Sequence, residues 1–195
     1  HHHGHAHDAI PDGSRRFAIG VALNVGFVAI EAAWGFFANS LALLADAGHN
    51  LSDVLGLLLA WAATILARRR PTGERTYGLR KSTVMASLAN AVLLLVVSGA
   101  IAWEAIRRFA APEPVATIEV MVIAAIGVVI NGATALMFLH GRRRDLNIQG
   151  AFLHMAADAG LSLGVVVSAL AMTVTGWLWL DPATSLVIVV VITIG

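Results

Sequence analysis

The chain reads as an all-α membrane protein, a six-transmembrane-helix bundle with its N-terminus in the cytoplasm. Three observations predict this. Composition is the first: 58% of the 195 residues are hydrophobic and only 13% are charged, against about 45–50% and 25% in soluble domains. Second, long apolar stretches recur between short polar breaks, and about 20 apolar residues of helix cross a bilayer. The third is the placement of positive charge. Arg15, Arg16, Arg68, Arg69, Arg70, Arg75, Arg80, Lys81, Arg142, Arg143 and Arg144 fall on one side of a six-span arrangement, which leaves only Arg107 and Arg108 on the other. Basic loops stay in the cytoplasm, so the split sets both span number and orientation.

Each element follows in order. Residues 1–14 form a His-rich cytoplasmic tail, whose HHHGHAH segment is either a tag remnant or a natural metal-gathering stretch. Span one is Arg15–Phe37, interrupted by Asn24 and Glu31, and Asn39-Ser40 breaks it from span two, Leu41–Ala67. Arg68–Lys81 is a basic loop with Pro71, Gly73 and Gly78 as breakers. Span three is Ser82–Phe109, with Asn90 inside and Glu104 near its outer end, and Pro112 and Pro114 mark the turn after it. Span four is Val115–His140, span five Leu146–Thr175, with the basic loop Gly141–Asp145 between them. After a Trp-rich turn at Gly176–Pro182, Ala183–Gly195 opens a sixth span that is short for a crossing and implies more helix beyond it. Residues 15–195 thus form one transmembrane domain, with no cytoplasmic domain after it in this chain. Trp34, Trp103, Trp177 and Trp179 fall near outer span ends, where interface aromatics gather.

Two short stretches carry the chemistry. One is Leu44-Ala-Asp46-Ala-Gly-His49-Asn50-Leu-Ser-Asp53, and the other is Gly150-Ala-Phe-Leu-His154-Met-Ala-Ala-Asp158. In each, a His precedes an Asp by four residues, so both side chains share a helix face. Ionisable groups inside apolar spans are expensive and mark functional sites. Counting about 1.5 Å per residue from opposite surfaces brings both pairs to the midplane. Together they offer two nitrogens and two oxygens, a set that suits tetrahedral Zn2+ and also admits Cd2+, Co2+ and Fe2+. The absence of cysteine excludes thiolate sites and disulfides. Two Asp carboxylates and one divalent ion sum to zero charge, and metal ligands must be deprotonated, so protons and metal compete. A midplane site of this kind predicts metal exchanged for protons.

Asp46 and Asn50 adjoin the site. Asp46 reads as a residue that orients His49, or as an extra oxygen ligand. The plainer reading of a single His/Asp pair is polar glue between helices, but two matched pairs at one depth favour metal. Asn24, Asn90 and Asn131 read as helix–helix hydrogen-bond glue. Glu31 and Glu104 read as solvated or mouth-lining groups near outer helix ends. Gly160-x-x-x-Gly164 and Ser52-x-x-x-Gly56 suggest close helix packing. The runs Arg68–Arg70 and Arg142–Arg144 read as topology anchors in contact with membrane lipids. No nucleic-acid partner is expected.

The chain resembles the transmembrane domain of the cation diffusion facilitators, zinc/proton antiporters. The resemblance rests on Asn39-Ser-Leu-Ala-Leu-Leu-Ala-Asp-Ala-Gly-His-Asn-Leu-Ser-Asp53, Tyr77-Gly-Leu-Arg80, Glu104-Ala-Ile-Arg107, His154-Met-Ala-Ala-Asp158 and Trp179-Leu-Asp-Pro182. It implies that His49, Asp53, His154 and Asp158 hold the transported ion. It also implies a homodimer that alternates between inward- and outward-facing states and exports metal from the cytoplasm of a bacterial inner or plasma membrane. Such a protein is a secondary transporter and not an enzyme. Two rival readings are a non-transporting metal-binding partner or sensor subunit and an intramembrane metal-dependent hydrolase. The hydrolase would need an open metal position and a base, and four protein ligands leave little room for water.

Overall fold

The structure, a computed structural model, describes residues 12–68, 76–139 and 146–194. The His-rich segment 1–11 and the basic loop residues 69–75 and 140–145 lie outside them, so the charge asymmetry stands as a sequence argument. Six helices follow in order: α1 Asp12–Phe37, α2 Leu41–Arg68, α3 Thr76–Ala110, α4 Thr117–Phe138, α5 Leu146–Thr175 and α6 Leu180–Ile194. Among the described residues there is no strand. Val84–Ala110, Thr117–Phe138 and Gln149–Thr175 are long and apolar enough to cross a membrane, and Ala22–Phe37 and Leu180–Ile194 are shorter apolar helices.

The helices match the expected spans, with informative differences at their ends. α3 begins six residues before the expected start and takes Gly78 into its first turns. An interior glycine costs a helix only about 1 kcal/mol, so Gly78 does not break it. α6 begins at Leu180, not Ala183, because Pro182 sits in its first turn, where its missing N–H costs nothing. α4 starts two residues late: the Ala116 N–H donates to the Ala38 carbonyl across the bundle, at 3.0 Å. Two left-handed residues end helices at the outer side. Asn39 (φ 55°) follows α1, and Gly176 (φ 72°) follows α5. Both serve as C-terminal caps, a position open to Gly and Asn. Ser40 then caps α2, its Oγ accepting from the Leu43 N–H at 3.2 Å.

We call "outer" the end with the α1–α2, α3–α4 and α5–α6 turns. α2 is the central element, packed on α1, α3 and α6, while α4 and α5 form the most extensive pair. The buried apolar cluster lies in the outer half: Leu41 and Leu43 of α2, Ile101 of α3, Val120 of α4, Val165 of α5 and Ile188 of α6. Large apolar side chains such as Phe37, Val84, Trp103, Met137 and Val174 face outward, as on a lipid-facing surface.

The small-residue patterns did not predict the close approaches. A methyl group at Gly56, Gly160 or Gly164 would meet nothing within 4 Å. The tight contacts are instead at Gly35, 3.2 Å from the Leu44 backbone nitrogen, and at Gly127, 3.2 Å from Ser162 Oγ and 3.3 Å from Phe27. Spacing shows that two small residues share a face, but not that a neighbour covers that face.

Candidate functional site

Helices α2 and α5 run antiparallel, so the order of their residues with depth is opposite. On α2, His49 is the outer and Asp53 the inner member. On α5, Asp158 is outer and His154 inner. The structure brings all four together in an alternating ring. His49 Nε2 lies 3.3 Å from Asp158 Oδ1 and 3.6 Å from Asp53 Oδ2. His154 Nε2 lies 3.4 Å from Asp53 Oδ2 and 3.7 Å from Asp158 Oδ2. The two imidazoles meet edge to face, 6.1 Å between centroids. The ligand atoms of His49, Asp53 and Asp158 all fall within 4.8 Å of one another. His154 completes the ring through its contacts to both carboxylates.

Burial grades across this ring. The outer side chains are covered, Asp158 at 3% exposure and His49 at 15%, while the inner ones open, Asp53 to 26% and His154 to 45%. The outer pair lies against the packed core, and the inner pair does not.

Asp46 and Asn50 are placed differently from the expectation. Asp46 is fully buried and accepts a hydrogen bond from Ser162 Oγ at 2.7 Å. Among the described residues His49 Nδ1 is buried without a hydrogen-bond partner. No hydrogen bond joins Asp46 to the His49 ring: Ser162 Oγ of α5 takes its Oδ2, and its Oδ1 has no partner among the described residues. Asn50 donates to Glu31 Oε2 at 3.0 Å. Glu31 is thus not a solvated group at a helix mouth: it is 0% exposed, on the face of α1 turned toward α2. Sequence reasoning missed it because its position near the outer end of α1 says nothing about that face. Asn90 behaves as expected, joining α3 to the Ser52 carbonyl and hydroxyl of α2, each at 3.2 Å.

Above the core, the remaining motif stretches converge in a polar knot. Asp181, at the start of α6 and 0% exposed, accepts from Ser40 Oγ (2.6 Å), the Leu41 N–H (2.8 Å) and the Ala42 N–H (3.2 Å). One side chain thereby covers the free N–H groups and positive end of α2 from another helix. Arg108 donates to the Asn39 carbonyl (2.7 Å) and Asn39 Oδ1 (2.6 Å) and stands 4.0 Å from Asp181. Asn39 Nδ2 donates in turn to Glu113 Oε2 at 2.9 Å. Glu104 pairs with both arginines. Of these, Arg108 is the buried one and Arg107 the exposed one. The side chains of Tyr77–Arg80 lie outside what the structure describes.

Comparison with known proteins adds the family. Residues 17–195 match the family described as the cation efflux transmembrane domain. A "Cadmium, cobalt and zinc/H(+)-K(+) antiporter" of Bacillus velezensis is 37% identical over 98% of this chain and 61% of its own length. "Zinc transporter ZitB" of Escherichia coli is 38% identical over 96% of this chain and 61% of its own. "Metal cation efflux system protein CzcD" of Cupriavidus metallidurans is 35% identical over 95% of this chain and 58% of its own. This chain spans about three fifths of the length of these relatives, which by name are transporters and not enzymes. With the match covering nearly every residue from α1 to α6, the chain belongs to the cation efflux transmembrane domain family.

Proposed function

We propose that the chain carries a divalent cation, Zn2+ foremost, from the cytoplasm across a bacterial inner membrane in exchange for protons. Its carrier site is His49, Asp53, His154 and Asp158. The observation that supports this most is the ring geometry. A tetrahedral ion with bonds of about 2.0–2.1 Å separates neighbouring ligand atoms by roughly 3.3–3.4 Å. The His–Asp contacts measure 3.3 and 3.6 Å at His49 and 3.4 and 3.7 Å at His154, with Asp158 meeting the two imidazoles through different oxygens. The ligand atoms of His49, Asp53 and Asp158 are already gathered within 4.8 Å of one another, and a turn of the more exposed His154 side chain would bring in the fourth ligand. The all-nitrogen-and-oxygen donor set accepts Cd2+ and Co2+ as well, in keeping with the names of the relatives. Fe2+ is a further candidate by the same donor chemistry.

Protons compete for the same ligands, because His and Asp bind the ion only when deprotonated. A site that opens first to one side and then to the other therefore releases metal where protons are abundant. In this structure the graded burial supports an inward-open state, with Asp53 and His154 toward the cytoplasmic end. A homodimer embedded in lipid is the proposed assembly.

Reconstitution tests this. The chain in liposomes should move Zn2+ with opposite movement of protons, and Asp158→Ala should abolish both. Zinc binding without flux would overturn the transport reading, and no binding would remove the site itself.

A further inference from the structure

The mechanism above leaves one buried acidic pair unused. Glu31 on α1 and Asp46 on α2 are both 0% exposed, and both sit at the α1–α2 seam: Asn50, which carries the hydrogen bond to Glu31, is one helical turn from Asp46 on the same face of α2. Each has one oxygen already satisfied from the side: Asn50 Nδ2 donates to Glu31 Oε2, and Ser162 Oγ donates to Asp46 Oδ2. The remaining oxygens, Glu31 Oε1 and Asp46 Oδ1, are buried with no donor. An ionised carboxylate only accepts hydrogen bonds, and a protonated one has a single O–H to give. Two ionised carboxylates in contact away from water repel strongly. One proton held by the pair removes the repulsion and turns an orphaned oxygen into an O–H donor.

We propose that Glu31 and Asp46 form a proton-binding site, separate from the metal ligands, that takes part in the exchange. Among the described residues no hydrogen bond or ion pair joins the pair to the four ring residues. The nearest titratable groups are His49 from α2 and Asp158 from α5. Among the described residues, α1 offers no charged side chain in 22–37 besides Glu31, and the one acidic residue of α4, Glu119, stands in its first turn. The position links the pair to both ligand helices. Asn50 neighbours His49 in sequence, and Ser162 is one helical turn beyond Asp158. A proton here draws α1, α2 and α5 together; its loss sets two carboxylates against each other at that junction. The site itself stands on geometry, and only its part in exchange rests on the function proposed above.

Infrared spectroscopy of the metal-free chain in lipid at neutral pH tests the site without transport. A carbonyl band of a protonated carboxylic acid is expected, shifting in D2O and persisting in the Asp53→Asn/Asp158→Asn double variant. It should vanish in Glu31→Gln. A wild-type chain without the band, which requires no variant to fold, would overturn the proposal; so would a band that survives Glu31→Gln. In liposomes, Glu31→Gln should move fewer protons per Zn2+ than wild type. An unchanged ratio would overturn the site's part in exchange. If wild-type chain moves no Zn2+ at all, the transport reading falls while the infrared result still decides the site.

Discussion

The four ring residues are not equivalent in their surroundings. Asp158 is nearly inaccessible and touches both imidazoles, whereas His154 is almost half exposed. Removing a supporting partner of a metal site costs roughly 10–100-fold in affinity. Asp158→Asn should cost more than that, measured as Zn2+ affinity by calorimetry on the purified chain. Ser162→Ala supplies the contrast. The Ser162 hydroxyl bonds Asp46 Oδ2 and no ring side chain, so Zn2+ affinity should fall by less than the roughly 10-fold lower bound with the ring intact. Why the ring was legible from sequence and its support was not follows from the same residues. His49 and Asp53, like His154 and Asp158, announce themselves by the four-residue spacing of ionisable residues inside apolar helix. Glu31 gives no such signal. In a soluble helix its burial would show as a polar residue on the apolar stripe. In lipid the outer face is as apolar as the inner one, and the rotational phase of α1 leaves no trace in the residue pattern.

Helix contacts carry predictions of their own. Gly127→Ala would place a methyl 3.2 Å from Ser162 Oγ and 3.3 Å from Phe27. It should separate α4 from α5 and α1 and lower the thermal stability of the chain in detergent. Gly160→Ala and Gly164→Ala have open space and should leave stability unchanged or raise it by up to about 1 kcal/mol through helix propensity. The three variants compared by thermal unfolding distinguish contact from sequence pattern. The outer knot makes a larger claim. Asp181→Ala would leave Ser40 and the first N–H groups of α2 without their acceptor and Arg108 short of a counter-charge. Breaking a buried charged network from one side costs about 3–5 kcal/mol. Ser40→Ala loses the cap hydroxyl and should cost about 1 kcal/mol. Sequence spacing brought Asn39, Ser40, Glu104 and Asp181 to the outer turns but could not reveal that they meet. Their partners lie up to 141 residues away, and only the packing of α2, α3 and α6 joins them.

At the scale of the molecule, the two ends of the bundle differ. Among the described residues, the outer half holds the apolar core and the Asp181–Arg108 knot, and the ring sits at the inner margin of that core with its inner members more exposed. On the proposed exchange of metal for protons, transport has a definite direction. Acid on one side protonates the ring there, expels the ion and favours its release into that compartment. Zinc should therefore accumulate on the acid side of a liposome membrane, and reversing the pH gradient should reverse the movement. The magnitude follows from linkage. Each proton exchanged across one pH unit supplies about 1.4 kcal/mol, a factor of ten in the zinc ratio. With the membrane potential held at zero, the logarithm of the steady-state zinc ratio plotted against the pH difference has a slope equal to protons moved per zinc. A slope of zero would mean that the ring carries metal without proton coupling. A slope near one or two counts the protons directly, and a lower slope in Glu31→Gln would place one of them on the carboxyl pair beside the ring.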